Sequence, residues 1–278
     1  MSRLSVIILN FNNEEDISSC LKSLIKAYPK IKIILVDNAS TDGSLQSIKN
    51  LSLRSRTLFF AGARNNSLEY ERLKIIRNEK NLGFAKAVNK GIKLALKQGA
   101  EEVLLLNPDT LPGRGFLEPL LANPAEIVGP ILKFQRGDRW VYDFGGKVNF
   151  WVGRTSHYEY LTSNIKHLKS PDYVSGACML IRRKVLEKIG LLNEKYFLFF
   201  EDPDFCLRAK KAGFKVALEP KSMILHKLSE GKKKPFYYIY HLIHSNLIFV
   251  NTWLPFYRRP IAYLYLWLLA FKMLLNRF

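Results

Sequence analysis

The tripeptide Asn107-Pro108-Asp109 carries the side chains most clearly suited to chemistry. It follows an unbroken apolar run, Val103–Leu106, which predicts a strand buried on both faces. Because Pro108 cannot donate to a ladder, the strand should end there and leave Asp109 at the C-terminal edge of a parallel sheet, where open α/β folds bind ligands. A carboxylate in that position suits a divalent cation held against a diphosphate. The competing interpretation is a simple turn, since all three residues are common turn formers.

Acidic residues also stand at two other expected element ends. Asp37 ends the apolar run Ile33–Val36, so a role as hydrogen-bond acceptor for a nucleotide base or ribose competes with a turn or cap role beside Asp42-Gly43. The segment Glu201-Asp202-Pro203-Asp204 follows a largely aromatic stretch. Apolar surroundings raise the pKa of a carboxyl group and strengthen it as a proton acceptor. The alternative is a capping role, with Pro203 at the first helical position.

Two weaker signals complete the set of candidate side chains. His226 follows the apolar segment Met223–Leu225, where a metal ligand and a structural histidine are both open interpretations. Asn81–Lys86 contains Gly83 and leads into a predicted helix, whose N-terminus attracts phosphate. The chain has neither a P-loop nor a Rossmann fingerprint.

The elements that must position these residues alternate between strand and helix over roughly the first 110 residues, which predicts a mostly parallel sheet with helices on both faces. Residues 52–72 interrupt the alternation and are interpreted as an insertion of unclear form. The predicted strands are Ser5–Leu9, Ile31–Val36, Leu73–Arg77, Val103–Leu106, Trp140–Phe144, Tyr173–Ile181 and Lys215–Leu218. The predicted helices are Glu14–Ala27, Ser44–Leu51, Phe84–Gln98, Arg183–Gly190 and Pro203–Ala212.

The composition is that of a globular protein. A chain of 278 residues, 48% hydrophobic and 24% charged, can bury a full core as one large domain or one domain with an appendage. The cysteines Cys20, Cys178 and Cys206 show neither zinc spacing nor a disulfide framework, which favours a reducing cytosolic location. No signal peptide is expected, because the apolar run Leu4–Leu9 is too short. The net charge of +19 indicates an anionic partner: nucleic acid, anionic lipid or a phosphorylated substrate.

Taken together and in order, these residues resemble family 2 glycosyltransferases of the GT-A fold, an α/β fold. The resemblance covers roughly residues 3–250 and is nearest to rhamnosyltransferase-like enzymes that build bacterial surface polysaccharides. Six segments carry it: Val6–Asn12, Val36–Ser44, Asn81–Ala85, Leu106–Asp109, Val174–Met179 and Phe200–Arg208.

The resemblance implies a role for each matching position. Asp202 is the general base, and Asp109 and His226 are ligands of a divalent metal, Mg²⁺ or Mn²⁺. Asn107 stands where the family has the first Asp of its DXD motif, which leaves metal binding by residue 107 open. The residues expected to bind substrate are Asn10, Asn12, Asp37, Asn38, Gly83, Asn107, Asp109, Gly176, Ala177 and Glu201.

The same resemblance implies the reaction. An inverting enzyme would move a sugar, with rhamnose as one expectation, from a dTDP- or UDP-sugar to a hydroxyl of a saccharide or lipid-linked acceptor in surface polysaccharide synthesis. Two alternatives from other classes are a basic nucleic-acid-binding protein and a non-catalytic nucleotide-sugar-binding module. The first has only the positive charge in its favour, because no zinc finger, RRM-like signature or basic recognition helix is found, so no nucleic-acid partner is expected.

Residues 227–278 differ in composition from the preceding 1–226, which we predict to be the catalytic domain. They contain eight Lys or Arg, one acidic residue and many aromatic residues, and predict a helical extension. Its segment Ile261–Leu275 would span about 22 Å as a helix, short of a bilayer core of about 30 Å. Flanking arginines and internal Tyr and Trp favour a peripheral contact with an anionic membrane, at the cytoplasmic face. The alternatives are packing on the catalytic domain or on a second subunit, and a short true span.

Overall fold

A computed structural model of the chain describes residues 3–54, 60–64, 67–70, 72–163, 170–227 and 236–275. The strands in these ranges are β1 Leu4–Asn10, β2 Lys32–Asp37, β3 Phe60–Arg64, β4 Ser67–Tyr70, β5 Leu73–Arg77, β6 Glu102–Leu106, β7 Thr110–Leu111, β8 Ile127–Arg136, β9 Arg139–Asn149, β10 Arg154–Tyr160, β11 Cys178–Arg182 and β12 Val216–His226. The helices are α1 Glu14–Ala27, α2 Ser44–Arg54, α3 Phe84–Lys97, α4 Leu117–Ala122, α5 Arg183–Ile189, α6 Glu201–Lys211, α7 Phe236–Trp253 and α8 Arg259–Leu275, with a 3₁₀ turn at Phe256–Arg258.

The described strands form one mixed sheet with a parallel centre. Its order is β10-β9-β8-β11-β6-β1-β2-β5-β4-β3, and β12 pairs with β7 and β8. The four strands β6, β1, β2 and β5 are parallel, while β11 and β4 pair antiparallel with the outer two. In this register Asn10 lies opposite Asp37, and Asp37 opposite Arg77. The carboxyl ends of the parallel strands therefore meet at one edge, where the predicted chemistry was expected.

The unbroken apolar runs are explained by helices on both faces of the sheet. On β1, Val6 and Ile8 face a core layer that includes Leu21 of α1. Ile7 points to the other layer, which includes Val88 of α3 and Phe205 of α6. A strand buried on both faces has no polar side, and this is why periodicity alone does not distinguish it from a helix.

The strands predicted over Trp140–Phe144 and Lys215–Leu218 extend further in the structure, and three other expected elements differ in where they begin or in their form. The strand predicted over Tyr173–Ile181 begins only at Cys178, because the preceding residues turn, with the Cys178 N–H donating to the Ser175 carbonyl at 3.2 Å. The helix predicted from Pro203 begins at Glu201, so Pro203 is its third residue, where its missing N–H still leaves no helical bond unmade. In the insertion predicted over residues 52–72, the described residues include an antiparallel hairpin, β3–β4, beside β5. Residues 55–59, 65–66 and 71 lie outside the described ranges.

The two C-terminal helices are attached differently. α7 packs on the body of the protein through Phe249, which is fully buried with Phe200. The Trp253 indole also donates to Asp204 Oδ1 at 3.0 Å. Within the C-terminal extension, α7 therefore packs on the catalytic domain, which was the alternative to a membrane contact. A domain boundary between residues 226 and 227 stays a prediction.

α8 buries little of its surface. Ala262 and Leu266 are its buried residues, in a small cluster with Leu254 and Val250 of the preceding segment. The remaining apolar side chains of this helix are largely exposed. None of the helices in the described ranges combines the length and the apolarity that crossing a membrane requires.

Candidate active site

Asn10, Asp37 and Ser40 form a buried polar cluster at the ends of β1 and β2. The Asn10 amide donates to Asp37 Oδ1 at 3.2 Å and to Ser40 Oγ at 3.0 Å. Asp37 Oδ2 accepts the Ser40 N–H at 3.3 Å, and the side chain of Asp37 is fully buried. Asn12, two residues after Asn10, accepts the Thr41 N–H with its Oδ1 at 2.8 Å. Both loops are therefore held together before any ligand binds.

Asn38 extends this cluster to the turn before α3. Its amide donates to Asn81 Oδ1 at 2.8 Å, and its Oδ1 accepts the N–H of Leu82 at 3.0 Å. Asn78 donates to the same Asn38 oxygen at 3.0 Å. The side chain of Asn38 thus fixes the turn that presents the N-terminus of α3.

Gly83 is required by both its backbone conformation and its surroundings. Its φ is +79°, a region that L side chains rarely adopt. A Cβ at this position would lie 2.4 Å from the carbonyl oxygen of Phe197, which accepts the N–H of Phe84 at 2.6 Å. The glycine therefore allows the α3 turn to touch the loop that leads into α6.

We expect Gly83→Ala to lower the thermal unfolding midpoint more than Gly190→Ala does. Gly190 has nearly the same backbone conformation, φ +76° and ψ −168° against φ +79° and ψ 176° at Gly83, but has no atom within 4 Å of an added Cβ. It therefore shows only the cost of the backbone conformation, roughly 1–3 kcal/mol. Differential scanning fluorimetry of both variants isolates the clash with Phe197. Equal losses in the two variants would contradict this account of the contact.

Asp109 and His226 meet at the edge of the sheet. β12 pairs antiparallel with β7, which places His226 opposite Thr110. His226 Nε2 lies 3.2 Å from Asp109 Oδ1, and the Lys227 N–H donates to the Asp109 carbonyl at 2.8 Å. Asp109 Oδ1 is buried and accepts no hydrogen bond from the described residues, although the imidazole lies this close. An imidazole nitrogen and an unsatisfied carboxylate oxygen together resemble two ligands of a cation.

Asp109 and His226 could supply only two of the ligands of the divalent metal that the sequence implies. Within the described ranges, no group of three or more His, Cys, Asp or Glu side chains could hold a metal ion. A hard divalent cation that binds diphosphate commonly takes one or two protein ligands, and phosphate oxygens and water supply the rest. The unsatisfied Asp109 oxygen beside His226 is consistent with that arrangement.

A chain of contacts leads from this loop to the start of α6. The Asn107 N–H donates to the Ala177 carbonyl at 2.8 Å, and the Gly176 N–H donates to Asp202 Oδ2 at 3.0 Å. A Cβ on Gly176 would lie 3.7 Å from the Cβ of Asp202 and 3.7 Å from Phe84. Asn107 also accepts from the Thr110 hydroxyl at 2.7 Å through its carbonyl, so its backbone shapes the loop.

Glu201 and Asp202 are adjacent carboxyl groups at the N-terminus of α6. Loss of water on burial raises the pKa of Asp202, while the Gly176 N–H and His157 act in the opposite direction. Burial and then the charge of Asp202 raise the pKa of Glu201, whose Oε2 is buried without a hydrogen-bond partner. A proton acceptor with a raised pKa is a stronger base at neutral pH, provided that it remains ionised.

The turn before this pair stores backbone strain. Phe199 and Phe200 both have positive φ, +69° and +67°, in the left-handed region. Each such residue costs roughly 1–3 kcal/mol and persists only where surrounding packing enforces it. Here the aromatic packing of Phe200 on Phe249 holds the turn that aims Glu201 and Asp202.

Sequence reasoning missed a second polar group near Asp202. His157 Nδ1 lies 2.7 Å from Asp143 Oδ2, and its Nε2 lies 3.1 Å from the Tyr173 hydroxyl. Burial lowers the pKa of His157, but the hydrogen bond and charge of Asp143 outweigh it, so the pKa is raised overall. These residues come from β9, β10 and the loop before β11, and no local motif links them.

The mixed sheet with helices on both faces is the GT-A fold of glycosyltransferases. The solved structure of GalNAc-T7 with UDP, GalNAc and Mn²⁺ shares the fold at a TM-score of 0.64 and 15% identity. The match covers 88% of this chain and 48% of that one, so the chain spans about half the length of that protein.

Residues 5–190 match the Glycosyl transferase family 2 profile, and the chain belongs to that family. It is 24% identical over 251 residues to N-acetylglucosaminyl-diphospho-decaprenol L-rhamnosyltransferase of Mycobacterium tuberculosis, covering 80% of this chain and 75% of that protein. It is 23% identical to dTDP-rhamnosyl transferase RfbF of Shigella flexneri, covering 84% of this chain and 72% of that one. The predicted family, fold and enzyme class are thereby confirmed, in preference to the two non-enzymatic alternatives.

Proposed function

We propose that this glycosyltransferase moves a sugar, rhamnose in the first instance, from dTDP or UDP to a hydroxyl of a lipid-linked or saccharide acceptor, with inversion at the anomeric carbon. The observation that carries the proposal is Asp202, a carboxylate with a raised pKa oriented by the Gly176 N–H. The names of the two rhamnosyltransferase relatives support the sugar. The lipid-linked acceptor is supported by the diphospho-decaprenol in the first name.

The proposed roles follow from the contacts. The cluster of Asn10, Asp37 and Asn38, with Asn12 beside it, holds the nucleoside, and the N-terminus of α3 after Gly83 faces the diphosphate. Asp202 accepts the proton of the acceptor hydroxyl as that oxygen attacks the anomeric carbon opposite the leaving group. Buried Glu201, which stays protonated more readily than an ordinary glutamate, leaves the negative charge of the pair on Asp202.

Asp109 and His226 would hold the divalent metal, Mg²⁺ or Mn²⁺. A metal bound there supplies Lewis-acid neutralisation of the departing nucleoside diphosphate. Asn107 shapes the loop through its backbone, and the turn at Gly176 and Ala177 joins this loop to Asp202.

The donor is tested by hydrolysis without acceptor. The purified full chain is incubated with Mn²⁺ and one nucleotide sugar in each reaction: dTDP-rhamnose, another dTDP-sugar or a UDP-sugar. The release of free nucleoside diphosphate is measured. We expect release to be fastest from dTDP-rhamnose and to be lost with a chelator. Faster release from a UDP-sugar would reassign the donor, and no release or binding of any nucleotide would contradict the proposal.

We also propose that the enzyme works at the cytoplasmic face of the membrane, held by α8. The supporting observation is the exposed apolar face of this helix, on which Trp267 stacks on Phe271. Arg259 and Lys272 give the helix a positive charge that suits anionic lipid.

We expect the Trp267→Ser/Phe271→Ser variant to bind anionic vesicles much more weakly than the unaltered chain, because both rings are exposed and would enter the interface. Co-sedimentation with phosphatidylglycerol vesicles measures this. The control is Trp140→Ser, an exposed ring on β9. Substitution is preferable to removing the whole tail, since α7 is part of the packed core. Equal partitioning of all three proteins would refute the membrane contact.

A further inference from the structure

A basic cleft lies outside the candidate active site, between the β9–β10 hairpin and the 3₁₀ turn that leads into α8. Its volume is about 740 Å³. Three of its lining side chains are cations, Lys147, Arg154 and Arg258, and none of the lining residues is acidic. Within the described part of the chain, no carboxylate forms an ion pair with any of the three. A cleft with uncompensated positive charge on its walls suits an anionic group.

Arg258 is held in place and has an unused donor. Its guanidinium lies 4.2 Å from the centre of the Trp151 ring, and its Nη1 donates to the Phe150 carbonyl at 3.4 Å. Its Nε is buried and has no hydrogen-bond partner among the described residues. A buried donor left without an acceptor is costly, so an acceptor oxygen in the cleft would relieve that cost. Guanidinium groups bind phosphate oxygens in a fixed, often bidentate geometry.

The cleft adjoins apolar surface. Phe256 and Tyr257, in the turn that contains Arg258, are 79% and 60% exposed. Trp151 at the hairpin end is 59% exposed. The exposed face of α8 continues from this turn through Ile261 and Leu264. A soluble anion would gain nothing from contact with this exposed apolar surface. A lipid headgroup, in contrast, lies where charged side chains adjoin aromatic and aliphatic ones.

The hairpin also connects the cleft with the candidate active site. Lys147 pairs with Ser156, and the next pair along the ladder is Gly146 with His157. His157 contacts Tyr173, three residues before the glycine that binds Asp202. The β9–β10 hairpin therefore carries the cleft and also contacts, through His157 and Tyr173, the loop that holds the proposed general base Asp202.

We propose that the cleft formed by Lys147, Arg154 and Arg258 binds the terminal phosphate or diphosphate headgroup of a membrane lipid while α8 lies in the adjoining bilayer surface. The inference rests on the proposed function, in which the acceptor is lipid-linked, and it specifies where the phosphate of such a lipid is held. The acceptor sugar beyond the diphosphate would then extend toward Asp202.

The test measures vesicle binding of the full chain. Phosphatidylcholine vesicles are prepared with phosphatidic acid, which bears a terminal phosphate, or with phosphatidylglycerol, which does not, at matched surface potential. We expect tighter binding to the phosphatidic acid vesicles. Arg258→Gln should weaken that binding roughly tenfold or more, as loss of a charged hydrogen bond does, and erase the difference between the two lipids.

Two double variants protect the test from a folding artefact. Lys147→Gln/Arg154→Gln changes two exposed side chains of the cleft, and we expect it to erase the same lipid preference. The control Lys93→Gln/Arg139→Gln removes equal charge from exposed positions on α3 and at the far end of β9, and it should keep the preference.

The possible outcomes separate the proposals. No preference between the two lipids, or a preference that survives in both cleft variants, would overturn the headgroup site. Calorimetry with inorganic diphosphate tests whether the cleft binds a soluble anion and not a lipid headgroup. Binding of that ion that depends on Arg258, without a preference between the two kinds of vesicle, would assign the cleft to a soluble anion. Since none of these measurements uses a donor sugar or transfer, their failure leaves the glycosyltransferase activity intact. Loss of nucleotide binding would count against the proposed function alone.

Discussion

Asp202→Asn is expected to reduce sugar transfer by about 10²–10⁴-fold, the range that a positioned general base contributes. The asparagine can still accept the Gly176 N–H, so the turn at the start of α6 should keep its shape. Binding of dTDP with Mn²⁺ should be unchanged, because Asp202 contacts neither Asp37 nor Asp109 in the hydrogen bonds described. Transfer rates and nucleotide binding by calorimetry, measured on one preparation, check both halves of the expectation.

The pH dependence of the unaltered enzyme gives a second readout. Because burial raises the pKa of Asp202, transfer should decline on acidification at a pH above the ordinary aspartate range. A carboxyl whose pKa is higher in the folded state binds its proton more tightly there, so stability falls as pH rises from the unfolded-state pKa through the raised folded-state pKa, and the full loss remains above it. Asp202→Asn removes this cost, and its unfolding midpoint at neutral pH should equal or exceed that of the unaltered chain.

The control for this variant is Asp138→Asn, the same change at an exposed turn between β8 and β9. It should leave transfer unchanged. Full activity in Asp202→Asn would remove this residue from the role of base. Lost activity with a lowered unfolding midpoint would indicate a structural role instead.

Asp109→Asn is expected to abolish the contribution of Mn²⁺ to nucleotide binding. The substitution removes the negative charge that an imidazole faces at 3.2 Å and replaces an anionic oxygen ligand with a neutral amide, whose oxygen binds a hard cation more weakly. Affinity for dTDP with Mn²⁺ should fall at least roughly tenfold, the loss seen even for residues that only orient a metal ligand. Affinity without metal should change little, and calorimetry with and without Mn²⁺ measures the difference.

His226→Gln offers a graded comparison at the same place. It removes the imidazole nitrogen and leaves the Asp109 carboxylate, so part of the metal effect should remain. Asp138→Asn again serves as control and should bind dTDP as the unaltered chain does. A metal effect that is the same in all four proteins would place the metal, and the diphosphate, elsewhere.

The local spacing of apolar residues predicted well where the elements that carry the site residues begin and end. The apolar run Val103–Leu106 and Pro108 predicted a buried strand that ends before Asp109, and β6 ends at Leu106. Glu14–Ala27 was predicted at the bounds of α1, because its apolar spacing is helical throughout. The hairpin β3–β4 was not recognised, since the surrounding segment 52–72 is rich in arginine and asparagine and the strands lack a clear alternation.

The same local spacing did not indicate which of these site residues contact each other. The contact between His226 and Asp109 joins residues far apart in the chain, and it exists because β12 runs parallel to β8 and then pairs with β7. The group of Asp143, His157 and Tyr173 likewise depends on the register between β9 and β10. Pairing across strands is set by long-range packing, which leaves no periodic trace in the sequence around each residue.

By itself, the sequence determined the class of this protein: six motifs in order, several of them at the end of an apolar run, specify a sheet whose edge carries the polar residues of a glycosyltransferase. That information is local, because burial of a strand shows directly in its composition. Only the tertiary structure decided that α7 belongs to the core while α8 exposes its apolar face, although both helices are similarly apolar. What an apolar helix covers depends on the surfaces that the rest of the chain presents to it, and the basic cleft beside Arg258 exists only where those surfaces meet.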